Sequence, residues 1–442
     1  MELKMKKNRL VFPLLSVLLA MPLQARDLMD VYNLALVNDP QLQEAKERLE
    51  SVRQGKVQAR ARLLPTISLG GEIDGVRRDV KTSPTGGVGT SSYSDKSLGL
   101  NLSQPLYHRD YWIQLEQADH SIAQSEAEYA AAQIDLMVRS SSAYFDILAA
   151  QDILRVAKAQ TEANARQLDQ ATQRFDVGLI AITDVHEAQA SHDGARAEEI
   201  AAENAVDNAW EALFEIIGQA PQEALAELGE KLKLDPPTPT TLQAWSDTAQ
   251  AQNYTIIAAR NGLESTRKNI EVFRSGHYPT LDLVGGYDMF RTNNDFGSEA
   301  DTGKIGVQLQ LPIYAGGSVS SRTEQARSDF RAAQLVLDQS QRAVNRQVRD
   351  AYRGVLSTIS RVGALKAATV SAKSALDSTQ AGYEVGTRTI VDVLNVQRNL
   401  FSAQTDYAGS RYDYILNGLQ LKQAAGNLTQ SDLEGINAWL ER

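Results

Sequence analysis

The sequence predicts a mainly α-helical chain of long coiled-coil hairpins that also supplies four strands to a membrane β-barrel. Three observations predict it. First, one plan occurs twice. Leu64-Pro65-Thr66-Ile67-Ser68-Leu69 is answered by Tyr278-Pro279-Thr280-Leu281-Asp282-Leu283, and Gln104-Pro105-Leu106-Tyr107 by Leu311-Pro312-Ile313-Tyr314. Val177-Gly178 with Asp184 is answered by Val385-Gly386 with Asp392. The matching segments lie about 210 residues apart, and a steady offset over most of a chain marks internal duplication. Second, no proline lies between Pro105 and Pro221 or after Pro312, and proline interrupts helix interiors. Third, four segments alternate apolar with small or polar residues, the period of a strand with one apolar face.

The chain opens with a segment that reads as a secretory signal peptide, residues 1–25. Lys4, Lys6, Lys7 and Arg9 precede the apolar stretch Leu10 to Leu19, and Leu23-Gln24-Ala25 ends in a small residue. The apolar stretch is too short to span a bilayer. There is no cysteine, which excludes disulfides, thiolate metal sites and lipid attachment through an N-terminal cysteine. Formal charge is −10, and removing the basic leader makes the rest more acidic still. That balance argues against nucleic acid as a partner. No later apolar run approaches the ~20 residues of a transmembrane helix.

Residues 26–233 form the first expected repeat and 234–442 the second. Each is predicted to hold a helix, two strands, a long helix, a Val-Gly turn and a returning helix. The long helices are Tyr107 to Asp176, 70 residues and about 105 Å, and Ser318 to Glu384, 67 residues and about 100 Å. Leu115, Ala118, Ile122, Ser125, Tyr129, Ala132 and Leu136 recur at heptad spacing in the first, as do Ala326, Phe330, Ala333, Leu337, Ser340 and Val344 in the second. Such spacing makes coiled-coil seams, and residues this small suit a curved wall. An ordinary dimeric coiled coil would share the heptads but leaves the strands unexplained. The shorter helices, Leu28 to Leu64, Thr183 to Ile217, Thr241 to His277 and Ile390 to Gly426, sum in pairs to about the length of one long helix. Two of them are therefore expected to stack end to end beside each long one.

The strands centre on Ile67, Leu69 and Ile73, on Leu98, Leu100 and Leu102, on Leu281, Leu283, Tyr287 and Met289, and on Ile305, Val307, Leu309 and Leu311. Half-buried strands of a soluble sheet read the same way. The Gly-, Ser- and Asn-rich stretches Arg77 to Asp95 and Arg291 to Gly303 favour a membrane barrel with exposed extracellular loops. Four strands cannot close a barrel, since the smallest outer-membrane barrels have about eight, and open edges are forbidden in lipid. Three copies would give 12 strands and 12 helical columns. Gly218 to Pro239, with the C-terminal stretch Leu428 to Leu440, is expected to form a small collar around the helices.

Catalytic chemistry finds little support. The five histidines are scattered, and His186-Glu187 lacks the spacing of a zinc protease motif. Gly303-Lys304 is followed by Ile305 rather than the Ser or Thr of a phosphate loop. No cofactor is expected, and no His- or Met-rich tract suggests a metal.

The two turn segments carry a resemblance. Gln173-Arg174-Phe175-Asp176-Val177-Gly178-Leu179-Ile180-Ala181-Ile182-Thr183-Asp184-Val185 and Gly382-Tyr383-Glu384-Val385-Gly386-Thr387-Arg388-Thr389-Ile390-Val391-Asp392-Val393-Leu394 resemble the two periplasmic turns of the outer membrane factor family, the channel-tunnels of the TolC type. The resemblance runs from about Asp27 to Leu433. It implies a homotrimeric 12-stranded outer-membrane β-barrel continuous with a 12-helix periplasmic α-barrel, in a Gram-negative bacterium. The implied function is an exit duct for inner-membrane RND, ABC or MFS transporters joined through a periplasmic adaptor. The cargo would be exported proteins, drugs and small toxic molecules. A duct dedicated to a metal or another single substrate is the alternative within the family, and a non-transporting periplasmic rod is the alternative outside it.

The resemblance further implies a gate latch at Thr183, Asp184, Tyr383 and Arg388, and adaptor docking at Val177, Gly178, Leu179, Val385, Gly386 and Thr387. It implies a pore constriction at Asp392, with Asn395 where a second acidic residue would add another ring of charge. Plainer readings exist: Thr183 and Asp184 as a helix cap, Arg388 as a solvated turn charge, and the glycines as helix terminators.

Overall fold

The computed structural model describes residues 25–83, 88–219, 224–229, 232–294 and 297–441, so residues 1–24 of the expected leader lie outside it. The first half contains α1 (Leu28–Asn38), α2 (Pro40–Ala61), β1 (Thr66–Val80), β2 (Gly89–Tyr107), α3 (Arg109–Asp176) and α4 (Ile182–Ile217). A short strand β3 (Glu227–Leu228) follows, then α5 (Leu242–Gln252), α6 (Tyr254–Arg274), β4 (Thr280–Thr292), β5 (Ser298–Gln310), α7 (Ser318–Glu384) and α8 (Ile390–Ala425). The chain ends in α9 (Gln430–Asn437) and β6 (Leu440–Glu441). Helices α3 and α7, of 68 and 67 residues, are each about 100 Å long.

Lateral packing explains how helices so long persist. Near the sheet α2, α3, α6 and α7 lie side by side in that order, and toward the far end α4, α3, α8 and α7 do. The short helices thus stack in columns beside the long ones. The main apolar core, including Leu28, Tyr144, Phe145, Leu148, Trp245, Tyr412 and Ile415, sits where these columns meet. There β3 pairs with β6, and the Tyr144 hydroxyl donates to the carbonyl of Ala226 at 2.7 Å.

Two expected helices are each broken once. Leu28 to Leu64 divides at Asp39 and Thr241 to His277 at Asn253, both with extended backbone (ψ 118° and 123°). Each breaking residue caps the next helix. Asp39 accepts from the Leu42 N–H at 2.7 Å, with Pro40 disfavouring helix at the residue before it. Asn253 accepts from the Thr255 N–H at 2.9 Å and donates to the Ala424 carbonyl at 2.9 Å. At the same level Gly426, with φ +77°, ends α8 against this break. A Cβ there would lie 2.6 Å from the Gln252 carbonyl oxygen, so the helix ends meet only because a residue without a side chain stands between them.

Asp39 is 1 % exposed. Burial pushes its carboxyl up, but the hydrogen bonds from Arg139 and from the Leu42 N–H, together with the Arg139 charge, outweigh it and hold the group below the usual range. Arg139 grips both Asp39 oxygens, at 3.0 and 2.9 Å, and also donates to Asp135 at 2.7 Å.

The four long strands form one antiparallel sheet in the order β1-β2-β4-β5. Register puts most of each strand's apolar residues on one face, with Val284 and Phe290 on the other. Ile67 faces Leu102 and Leu69 faces Leu100; Leu100 faces Tyr287 and Leu98 faces Met289; Leu283 faces Val307 and Leu281 faces Leu309. The opposite face carries Ser68, Glu72, Asn101, Ser103, Asp282, Asp288, Lys304 and Gln308. The expected loops Arg77 to Asp95 and Arg291 to Gly303 are mostly strand instead. Arg77 pairs with Ser92 and Val80 with Gly89, while Arg291 pairs with Glu299 and Thr292 with Ser298. Polar residues hold this ladder as well as apolar ones do, because its bonds are backbone bonds. Cross-strand ion pairs assist, Arg291 reaching Asp301 at 2.7 Å and Glu299 at 3.3 Å.

Removing the Arg139 guanidinium leaves a buried carboxylate without its counter-ion. Arg139→Ala is expected to cost about 3–5 kcal/mol, read as a lower thermal unfolding midpoint by circular dichroism. Because the Asp39 pKa is depressed in the folded chain, its contribution is complete above the unfolded value of ~3.9 and fades as pH falls through the lower folded value. The wild-type advantage over Arg139→Ala should therefore shrink below about pH 4.

Candidate functional site

The end of the helical columns remote from the sheet is formed by two turns. At the first, α3 stops at Asp176, and Gly178 takes φ +78°. The Gly178 N–H donates to the Phe175 carbonyl at 2.8 Å and the Leu179 N–H to the Arg174 carbonyl at 2.9 Å. At the second, Gly386 takes φ +79°, and the Thr387 N–H donates to the Gly382 carbonyl at 2.8 Å. Both are helix terminations through a left-handed glycine, which lacks the Cβ that would clash there. Between them they present Val177, Leu179 and Val385 at 70 %, 74 % and 75 % exposure. Large aliphatic side chains thus stand open on both turns.

The returning helices start differently. Helix α8 begins with a capping box. The Thr389 hydroxyl accepts from the Asp392 N–H at 3.2 Å, and the Asp392 carboxylate accepts from the Thr389 N–H at 2.9 Å. The Thr389 backbone bond first, then its hydroxyl and the Arg388 charge, hold the Asp392 carboxyl below the usual range. Helix α4 is capped by Ala181, which offers no side-chain bond. Thr183 and Asp184 fall inside the first turn, so neither is the cap. The Asp184 carboxylate sits near the positive end of α4 and makes no hydrogen bond or ion pair among the described residues. Its counterpart Asp392 is thus engaged by its own helix cap, whereas Asp184 is not.

Tyr383, in the last turn of α7, is 6 % exposed and packs on Leu376, Ile390, Val393 and Leu394. Its hydroxyl is buried without a partner among the described residues. Arg388 is exposed, its stem lying over Gly382, where a Cβ would come within 2.8 Å of the Arg388 Cγ. Asn395 is exposed one turn beyond Asp392, on the same helix face. The structure therefore gathers Tyr383, Arg388, Asp392 and Asn395 at the second turn and Thr183 and Asp184 at the first. Among the described residues, no bond joins the two groups within one chain.

Two contacts at this end were not anticipated. The Arg174 guanidinium lies 4.7 Å from the Tyr383 ring centroid. Farther up, Gln397 donates to Asn164 at 2.8 Å, and Asn164 donates to the Ser191 carbonyl at 3.0 Å. A basic residue in a helix's last turn is the only sequence signal for the first, and it reads more simply as a partner for the helix dipole. Among the described residues no cluster of metal-binding side chains occurs, and no helix is long and apolar enough to cross a membrane.

The outer membrane efflux protein family matches residues 31–219 and 245–427. The outer membrane protein TolC of Vibrio cholerae is 40% identical over 422 residues, 94% of each chain. TolC of Escherichia coli is 36% identical over 434 residues, 95% of this chain and 86% of that one. The alkaline protease secretion protein AprF of Pseudomonas aeruginosa is 30% identical over 420 residues, 94% and 87% of the two chains. Among solved structures, the Campylobacter jejuni CmeC outer membrane channel superposes with a TM-score of 0.80 at 19% identity, covering 94% of this chain and 90% of that one.

The contrast between the two helix starts is open to hydrogen exchange. Thr389→Ala should remove about 1 kcal/mol of cap stabilisation, so amides in the first turn of α8 should exchange roughly fivefold faster. Thr183→Ala should leave the first turn of α4 unchanged, because Thr183 is not its cap.

Proposed function

The chain belongs to the outer membrane efflux protein family, and from that premise we propose that three copies form one periplasm-spanning exit duct. The observation that carries the reading is the sheet. One face is apolar across all four strands, the other is mostly polar, and the edges β1 and β5 are unpaired among the described residues. In lipid such edges must be paired, and pairing β5 of one copy with β1 of the next closes a barrel of 12 strands from three sheets of four. Its apolar face meets the outer membrane and its polar face lines the lumen. The two halves, 26–233 and 234–442, then act as two repeats of one hairpin unit, and the columns below the barrel close into a tube.

The inner end is the gate. The Asp184 carboxylate, unengaged among the described residues, and the exposed Arg388 guanidinium suit a charge-assisted link between neighbouring hairpins, with Thr183 and Tyr383 beside it. Links of this kind are modest in water, as a latch that a partner must undo requires. Three copies of Asp392 narrow and charge the pore, and Asn395 leaves the next ring uncharged. Val177, Gly178, Leu179, Val385, Gly386 and Thr387 form the docking surface for a periplasmic adaptor, which couples the duct to an inner-membrane transporter.

The duct's work is export and not catalysis. The alkaline protease secretion protein AprF and the proteases secretion protein PrtF among its relatives support protein cargo, and the outer membrane efflux protein BepC supports efflux. A duct dedicated to metals is the second reading. The cobalt-zinc-cadmium resistance protein CzcC is a relative, but at 24% identity it stands well below the TolC proteins at 35–40%.

In planar bilayers the wild type should give small, steady currents and Arg388→Ser larger ones. No conductance from folded, assembled protein would sink the transport reading, and an unchanged Arg388→Ser would remove Arg388 from the latch. Reversal potentials test the constriction separately: Asp392→Asn should lower cation selectivity, and Asn395→Asp should raise it together with block by multivalent cations.

A further inference from the structure

Arg174 and Tyr383 stand one turn before their respective turn glycines, and each is tied to its turn through the backbone. The Arg174 carbonyl accepts from the Leu179 N–H at 2.9 Å, and the Tyr383 carbonyl from the Gly386 N–H at 3.1 Å. Movement of either turn therefore carries the residue with it. Across the seam between the two hairpins the guanidinium rests on the ring face at 4.7 Å. Arg174 makes no ion pair with a carboxylate among the described residues, so its charge is not already neutralised by a neighbour. The negative face of an aromatic ring attracts such a cation, more strongly where water is excluded, and Tyr383 is buried.

The Tyr383 hydroxyl is buried without a partner among the described residues. What fixes the side chain is packing of the ring on Leu376, Ile390, Val393 and Leu394 and the guanidinium over it. The next side-chain link up the same seam is the buried Gln397–Asn164 hydrogen bond, about 15 Å above Arg174 along α3. Below that bond, Arg174 and Tyr383 join the α7–α8 hairpin to α3.

We infer that Arg174 is a positioning residue of the gate: its guanidinium, seated on the Tyr383 ring, holds the second hairpin against the first, and the hairpin swings outward only when that contact breaks. The inference rests on the reading of this end as a gate. It differs from a latch made through the Tyr383 hydroxyl, because here the ring does the holding. It also places a closing contact within each chain, beside any that run between chains.

The test is single-channel recording of the assembled protein in planar bilayers, with Arg388→Ser as the reference for the gate itself. Arg174→Gln and Tyr383→Leu should each shift the closed-to-open ratio toward open by roughly two- to thirtyfold. Arg174→Lys, which keeps a cation, should recover part of the shift, and the double variant Arg174→Gln/Tyr383→Leu should open no further than the larger single one. Tyr383→Phe keeps the ring and should open the channel less than Tyr383→Leu; a hydroxyl latch requires the two to open it equally. If Arg388→Ser opens the channel and Arg174→Gln does not, or if the two substitutions of the double variant add fully, the inference is overturned and the gate stands. If none of the variants alters conductance, the gate reading falls and the inference with it. Should Arg174→Gln fail to assemble, the comparison of Tyr383→Phe with Tyr383→Leu decides alone, equal opening overturning the inference.

Discussion

A peptide group inside a bilayer has no water to bond with, and that constraint organises this chain. Each half contributes one hairpin of strands, and two hairpins make a sheet with two open edges. Isolated in lipid, such a sheet would leave a row of donors and acceptors unsatisfied along both sides, each at a cost of several kcal/mol. Among the described residues no other element pairs with those edges, because the helices begin where the strands end. The order of the helical columns follows from the sheet: α2 feeds β1, β2 feeds α3, α6 feeds β4 and β5 feeds α7. The strand order β1-β2-β4-β5 is therefore reproduced below as α2, α3, α6, α7. The order of the strands sets the order of the helices.

The far end inherits its precision from the level where the short helices meet. Asp39 with Arg139, and Asn253 with the Ala424 carbonyl, use buried polar groups to end one helix and start another at a set height. Both groups are satisfied, which is the condition for a buried polar residue to specify position rather than weaken the core. From there α4 and α8 run 36 residues each, about 54 Å, to the turns. A small angular error at the joint would become a large displacement at the tip.

Much of this was legible in the residues. Ser318 and Glu384 mark the ends of α7 as expected, and α3 begins two residues later than expected because His108 takes the cap position. The break at Asp39 could have been read from the Asp-Pro pair. The break at Asn253 could not, since its stabilising partner lies 171 residues away. The strand extensions escaped because Ser, Asn and Gly read as loop by composition, while a hairpin already begun is continued by its backbone. At the site, the turn glycines announce themselves. The difference between Asp184 and Asp392 was also there to be read, in Ala181 against Thr389 three residues before each. What no local pattern could give is the seating of Arg174 on Tyr383, which exists only once two hairpins lie side by side.

The one-sided register has a consequence for how the molecule must be born. A chain crossing the periplasm with Ile67, Leu69, Ile305, Val307 and Leu309 aligned on one exposed face carries a sheet that is insoluble in water and incomplete in lipid. Its single-chain form is therefore a transient, prone to pair its edges with whatever strand it meets first. On the proposed closure between copies, folding, insertion and association become one coupled event whose rate depends steeply on how many copies arrive together. Dilute synthesis would favour capture by chaperones and proteases over assembly, so the supply of finished ducts should respond to expression level more than proportionally.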